Sequence, residues 1–265
     1  MYASNHFEQV IINLMRGSSF ITPGTLYVGL FLSDPRDSGT EGTEVDYTGY
    51  ARQAITFNLN GNTAIRNSAA ITFPTVPTAI SSPVTHIGIY DSATGTSSPT
   101  NMWLYGALAT NLVLQANVSP VFRVGSIQWT MSGNISTMYK QQILNTLRGN
   151  QSSLSAFTPY LGLCNGDPNG SGTEFSGNNY ERAQITFSAP STDSDSSSAS
   201  VTSNSADVFT PNAASGYWGT LNYGGIYTAS SGGNLFASIP LSQSCSMTEG
   251  SVAGFNAGEL TFSVN

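Results

Sequence analysis

Two histidines, His6 and His86, are all the imidazole this chain offers for acid–base work. A nucleophilic relay needs a hydroxyl or thiol beside the base, and no Gly-x-Ser-x-Gly turn accompanies either one. Both read as packed or interfacial side chains. Asp34, Asp37, Glu41, Glu44 and Asp46 crowd one short stretch and have the oxygens a hard cation requires. Their spacing is not that of an EF-hand, and turns held by Asp side chains account for such a run more simply. Paired carboxylates for glycoside hydrolysis meet only in three dimensions, and the chain has few acids to supply them. Trp103, Trp129 and Trp218 offer faces on which a sugar can stack. Trp129 falls in an alternating strand and reads as core, which leaves Trp103 and Trp218 as the better interface or ligand candidates. Cys164 and Cys245 read as small buried hydrophobes rather than a disulfide, a metal ligand or a nucleophile. None of these residues is expected to serve as a catalytic, cofactor-binding or metal-binding group.

The elements that position these residues occur twice. Ser4 to Gly17 returns as Ser136 to Gly149, keeping Ser, an aromatic, Gln, Ile, Asn, Arg and Gly in register. Tyr27-Val28-Gly29-Leu30 is answered by Tyr160-Leu161-Gly162-Leu163, Asp34-Pro35 by Asp167-Pro168, and Ser38-Gly39-Thr40-Glu41 by Ser171-Gly172-Thr173-Glu174. Ile55-Thr56-Phe57 recurs as Ile185-Thr186-Phe187, and Gly88-Ile89-Tyr90 as Gly225-Ile226-Tyr227. The period is too long for a solenoid repeat and suits two complete domains, 1–132 and 133–265. Duplication gives an internal control. A residue present in both copies is best explained by the shared fold. His86 aligns with Tyr223 and His6 with Met138, so neither histidine survives the comparison.

Each copy is expected to open with a short helix. Phe7, Val10, Ile11, Leu14 and Met15 form one apolar stripe, and Tyr139, Ile143, Leu144 and Leu147 repeat it more weakly. Asn5 with Glu8 suggests a capping box, and Gly17 suits the left-handed residue that ends a helix. Strands are expected at 26–32, 51–57, 70–73, 84–90, 103–108 and 121–131, with counterparts at 159–164, 182–187, 199–209, 220–227, 234–239 and 258–264. The second copy is seven residues longer between its Ile-Thr-Phe and Gly-Ile-Tyr blocks, and the excess falls on the polar tract at 191–198. The expected fold class is mainly β: two tandem β-sandwich domains, each with a short N-terminal α-helix.

Composition narrows the partners. Charged residues are only 9% of the chain and the net charge is −7, which argues against nucleic acid, whose phosphates need a basic footprint. No apolar run approaches the length of a membrane span, and no signal peptide is evident. A surface that relies on Ser, Thr, Asn and Gly for solubility suits burial against neighbours.

The strand Tyr27 to Phe31 followed by Ser33-Asp34-Pro35, a Gly-Thr-Glu loop, and Gly49-Tyr50-Ala51-Arg52-Gln53-Ala54-Ile55-Thr56-Phe57 resembles tailed-bacteriophage structural proteins usually described as phage tail fibre proteins. Thr85-His86-Ile87-Gly88-Ile89-Tyr90-Asp91 in the first copy, and Trp218-Gly219-Thr220 with Gly225-Ile226-Tyr227 in the second, are similar to a later block of that family. The second copy departs from the Ala-Arg-Gln order, reading Glu181-Arg182-Ala183-Gln184. The resemblance implies a non-enzymatic virion protein without cofactors, placed in a tail fibre, collar, baseplate or related appendage. It implies other virion proteins as partners, and a homo-oligomer, with a trimer able to match a sixfold neighbour. A carbohydrate- or receptor-binding module of the tail, contacting a host-surface glycan or receptor, is the alternative reading. A capsid decoration protein is a further one.

Overall fold

The computed structural model describes residues 1–94, 101–191, 199–213 and 216–264. The chain is mainly β, with sheets in two similar halves and a short helix opening each. Helix α1 spans Asn5–Asn13 and tightens into a 3-10 turn at Leu14–Arg16. Helix α2 spans Thr137–Leu147. Their starts are chemically alike. Ser4 Oγ accepts from Phe7 N, and Ser136 Oγ accepts from Tyr139 N, both at 3.3 Å, each satisfying one of the amides a helix leaves unpaired. The same two hydroxyls donate to Met102 O and Leu235 O, stapling each helix to its long strand. The capping box expected from Asn5 and Glu8 does not form. Ser4 is the cap, and Glu8 is buried against the other half of the chain. Gly17 ends α1 at φ +92°, as its type foretold. The apolar stripes are buried in both helices, with Val10 only partly so, and Ile12 joins the first of them.

In the first half, Met102–Leu114, Ile80–Tyr90, Leu26–Phe31 and Gln53–Ile55 lie side by side in one antiparallel sheet, with Tyr2–Ala3 added outside the first strand. The second half repeats the order with Leu235–Met247, Gly219–Tyr227, Tyr160–Cys164 and Ala183–Gln184. Registers match as well. Tyr27 faces Tyr90 and Gly29 faces Gly88, while Tyr160 faces Tyr227 and Gly162 faces Gly225. The repeated Gly-Ile-Tyr block has a physical cause in this register. Residues two apart share a face, and the tyrosine ring folds back over the glycine. A Cβ on Gly88 would come within 2.6 Å of Tyr90, and one on Gly225 within 2.5 Å of Tyr227.

Shorter ladders complete each half. Phe57–Leu59, Ala64–Asn67 and Gln128–Thr130 form one sheet, and Ile71–Thr72 pairs with Val121–Phe122. Their counterparts pair Ser200–Ser203 with Thr261–Val264, and Val208–Phe209 with Gly254–Phe255. The continuous strand expected over 121–131 is therefore two strands. Gly125, at φ +75°, turns the chain between them, although Ile127, Trp129 and Met131 keep their alternating burial. The turn is pinned by Asn67, which is fully buried. Its amide donates to Ala69 O and Arg123 O at 2.8 and 2.9 Å, and its carbonyl accepts from Ile127 N at 2.9 Å. Asn204 does the same for Ala206 O, Asn256 O and Leu260 N. Replacing either asparagine with alanine takes a partner from three backbone groups, of which the amide of Ile127 or Leu260 is buried. We expect a loss of about 2 kcal/mol at each site, read from urea unfolding midpoints; an unchanged midpoint would mean that water takes the amide's place.

Of the shared positions expected in the core, Leu30, Phe57, Ile89, Tyr90, Leu163, Phe187, Ile226 and Tyr227 are buried, whereas Tyr27 and Tyr160 are half-buried. Phe57 pairs with Asn67, and Phe187 bridges to Asn204, its sequence counterpart. That places the whole seven-residue excess between residues 188 and 200, and 192–198 of the polar tract lie outside the described residues. The two halves are in contact. One hydrophobic cluster runs through both, Phe20–Ile21 pairs antiparallel with Ser153–Leu154, and α1 packs on Met102–Leu114 of its own half and on Ser200–Ser203 and Thr261–Val264 of the other.

Candidate functional site

The acidic run of the first half is dispersed to separate tasks. Asp34 Oδ1 accepts from Arg36 N at 2.8 Å, holding a turn, and Glu41 pairs with Arg36 at 2.8 Å on the surface. Asp46 is exposed, while Asp37 is buried beside the start of α1. Glu44 joins a clamp. No three His, Cys, Asp or Glu side chains gather into a metal group among the described residues.

That clamp is the most organised polar constellation in the molecule, and it is present twice. Glu44 grips Arg52 through two parallel hydrogen bonds, Nε to Oε1 and Nη2 to Oε2, both at 2.8 Å. Tyr50 donates its hydroxyl to Glu44 at 2.9 Å and accepts from Leu30 N at 2.9 Å. The Arg52 guanidinium lies 3.6 Å over the Tyr90 ring, and its remaining arm reaches Ser92 O. In the second half Glu174, Arg182, Tyr180 and Tyr227 repeat each contact, with Arg182 again 3.6 Å over the ring and its free arm on Ala229 O and Gly232 O. Burial pushes both Tyr50 and Tyr180 hydroxyls well above the ordinary phenol range, with the neighbouring carboxylate adding to the shift. A planar guanidinium that is bidentate on one side and stacked on the other is locked. It has no free donor fork for a ligand.

This geometry corrects the alignment of the loop. The counterpart of Glu174 is Glu44, not Glu41, since Phe31 bridges to Glu44 as Cys164 bridges to Glu174. The Gly-Thr-Glu that matters is Gly42-Thr43-Glu44. Arg182 is likewise the equivalent of Arg52, so the altered local order leaves the arginine's role intact.

His86 Nδ1 lies 2.8 Å from Thr85 Oγ1, and its Nε2 is 3.8 Å from Asp34 Oδ2. The sequence Thr–His–Asp is suggestive, but the Thr85 hydroxyl donates to Leu32 O at 3.1 Å. Its oxygen therefore receives the proton of Nδ1, and no base faces the hydroxyl. His6 packs edge-on to Trp103 with ring centroids 4.8 Å apart. Trp103 is itself buried among Phe7 and Phe20, and its structural counterpart is Phe236, since Ser4 N donates to Trp103 O as Ser136 N donates to Phe236 O. Trp218 is buried against Tyr180, with Nε1 donating to Asn178 O at 3.0 Å. Neither forms a shelf for a sugar. Cys164 is buried, with its thiol pushed up to about 11 by loss of solvent, whereas Cys245 is exposed on the outer strand, contrary to the expectation for both. The reason is local: Cys245 lies beyond an irregularity in the pairing of Leu235–Met247, in a stretch that turns out of the core.

A second polar cluster was not visible in the sequence. Glu8 is 1% exposed, and its carboxylate accepts from Ser200 N at 2.7 Å, reaching from α1 into the other half. Burial pushes this carboxyl up to about 8 against the opposing effect of Ser200, and nearby Asp37 is pushed up to about 6, also by burial. Among the described residues Asp37 Oδ1, Asn5 Oδ1, Trp103 Nε1 and Ser200 Oγ are buried without a hydrogen-bond partner. A cavity of about 570 Å³ lies elsewhere, between Ile239, Pro240, Leu241 and Cys245 of the outer strand and Phe255 and Leu260. It takes in none of these polar groups, and Glu259 is the one acid on its wall.

A search of curated proteins found no match. The model of the podophage GP4 fiber I protein gp80 family matches residues 2–130 and again 134–263. Two consecutive matches that together take in nearly every residue, on two halves with the same strand order and the same clamp, show that this chain belongs to that fibre family, as a tandem duplication and a structural component of the phage virion.

Proposed function

We propose that the chain works by protein–protein assembly and performs no catalysis, with residues 1–132 and 133–265 serving as two equivalent modules docked on neighbours in a tail fibre, collar, baseplate or related appendage. The observation that carries this reading is that the family module recurs in both halves with its polar constellation spent on holding its own fold. Strong groups committed to internal contacts leave a surface of neutral hydrogen-bonding side chains, suited to burial against another protein. A homo-oligomer follows from the way such appendages close around an axis, and a trimer presents six similar modules to a sixfold neighbour. The receptor-binding alternative drew on Trp103 and Trp218, and both are occupied in packing. Electron cryomicroscopy of the intact particle tests the proposal by the number of copies about each axis. The expected result is both halves in contact with other virion chains. A lone copy touching none would overturn it.

A further inference from the structure

Each long strand has an outer edge that the chain covers only in part. Met102–Leu114 has Ile80–Tyr90 on one side, and on the other only Tyr2–Ala3, opposite Tyr105 and Leu104. Leu235–Met247 has Gly219–Tyr227 on one side; on the other, Ser238 N donates to Asn134 O at 3.0 Å and Ile135 bridges to Ala237. Among the described residues no strand pairs the outer side of 107–113 or of 239–246. Both stretches face solvent, at Ala109 and Val113 in one and at Ser242 and Ser246 in the other.

An open edge is a row of unpaired amides and carbonyls, and folded proteins usually guard it with charge. Here the charge is missing, although Pro240, two residues beyond the outward amide of Ser238, withholds one donor from the second edge. No Asp, Glu, Lys or Arg occurs anywhere from 92 to 122 or from 208 to 248. What the edges do accept is on view beside them: an extended antiparallel segment of this same chain, at Tyr2–Ala3 and at Asn134–Ile135. The two free stretches continue those interfaces, and neither repels the other.

We infer that the free edge of Met102–Leu114 in one copy of this chain pairs with the free edge of Leu235–Met247 in the next. The contact is head-to-tail, so each copy carries one donor and one acceptor edge, and repetition about an axis closes a ring. The inference names the surface of the oligomer proposed above and rests on that reading for its setting in the virion.

The test uses the full chain and two variants at equivalent exposed positions, V113K and S246K, each placing a lysine on one edge. Native mass spectrometry over a concentration series, with a thermal melt as folding control, should find multi-chain species for the unaltered chain and monomers for either variant alone. Mixing the variants should restore dimers and nothing larger, because each retains one sound edge. An oligomer that survives in either variant alone would overturn the head-to-tail pairing. So would a monomeric unaltered chain combined with no cross-link between these two strands in the assembled particle. If edge pairing holds in solution but neither half contacts another virion chain in the particle, the assembly reading fails and the edge inference stands.

Discussion

Arg52→Ala should lower the stability of the folded chain by about 3–5 kcal/mol, the range for removing one partner of a buried ion pair. The Arg52 side chain is 7% exposed and that of Glu44 18%, so solvent replaces little of what is lost. Four contacts go at once: two hydrogen bonds to Glu44, the stack on Tyr90 and the bond to Ser92 O. Of the side-chain contacts to Glu44 among the described residues, the Tyr50 hydroxyl remains. Arg182→Ala should cost a similar amount in the second half, because the bidentate pair and the stack are the same and its free arm holds two carbonyls. Lysine at either position keeps the charge but not the fork or the planar stack, and should recover only a minor part. Urea unfolding of the alanine and lysine variants measures this. A loss below about 1 kcal/mol in the alanine variants would place the pair among weak surface bridges and remove its claim to hold the sheet edge and loop together.

Such a clamp was legible only as letters. Repetition marked Tyr90 and Tyr227 as residues of the shared fold, the arginines lay in a stretch whose order departs between the copies, and the two nearby Gly-Thr pairs let the glutamates slip out of register by three. Only the bridge from Phe31 to Glu44 resolves which one grips the arginine. Core positions were readable because apolar periodicity and duplication point to the same residues, Leu30 with Leu163 and Phe57 with Phe187 among them. Asn67 and Asn204 were missed, since an asparagine in a chain this rich in Asn carries no local sign that its amide will bridge three backbone groups across the fold. Strand ends failed for a related reason: the outer parts of Ile80–Tyr90 and Met102–Leu114 are largely exposed, so they carry no alternation to read. The helices were found, but not what they cover. A stripe wide enough to include Ile12 as well as Ile11 serves two neighbours, and α1 lies on strands of both halves.

The junction that α1 makes should fail in alkali, and Glu8 should be the cause. Its carboxyl sits at the first turn of α1 with Ser200 N donating to it from the second half. Among the described residues, the other titratable groups facing it are Asp37, from the loop after Leu26–Phe31, and Tyr105, from Met102–Leu114. None of the ion pairs among the described residues includes Glu8. Burial therefore disfavours the charged form, and the folded-state value rises from 4.5 to about 8. A raised carboxyl gives stability that is complete below its unfolded value and is lost as pH climbs through the folded one. Between about pH 4 and pH 9 such a displacement corresponds to roughly 5 kcal/mol. Asp37, raised to about 6 by burial, adds a smaller loss in the lower part of that window. Glu8→Gln keeps an oxygen to accept from Ser200 N and cannot ionise. The variant should match the unaltered chain at about pH 5 and exceed it by several kcal/mol at about pH 9, with only the Asp37 component of the slope remaining. Unfolding midpoints across that range decide the matter, and parallel curves for the two proteins would show that Glu8 ionises without cost in the folded chain. Because the acid belongs to one half and its donor to the other, the alkaline transition should also expose the helix face that now joins them.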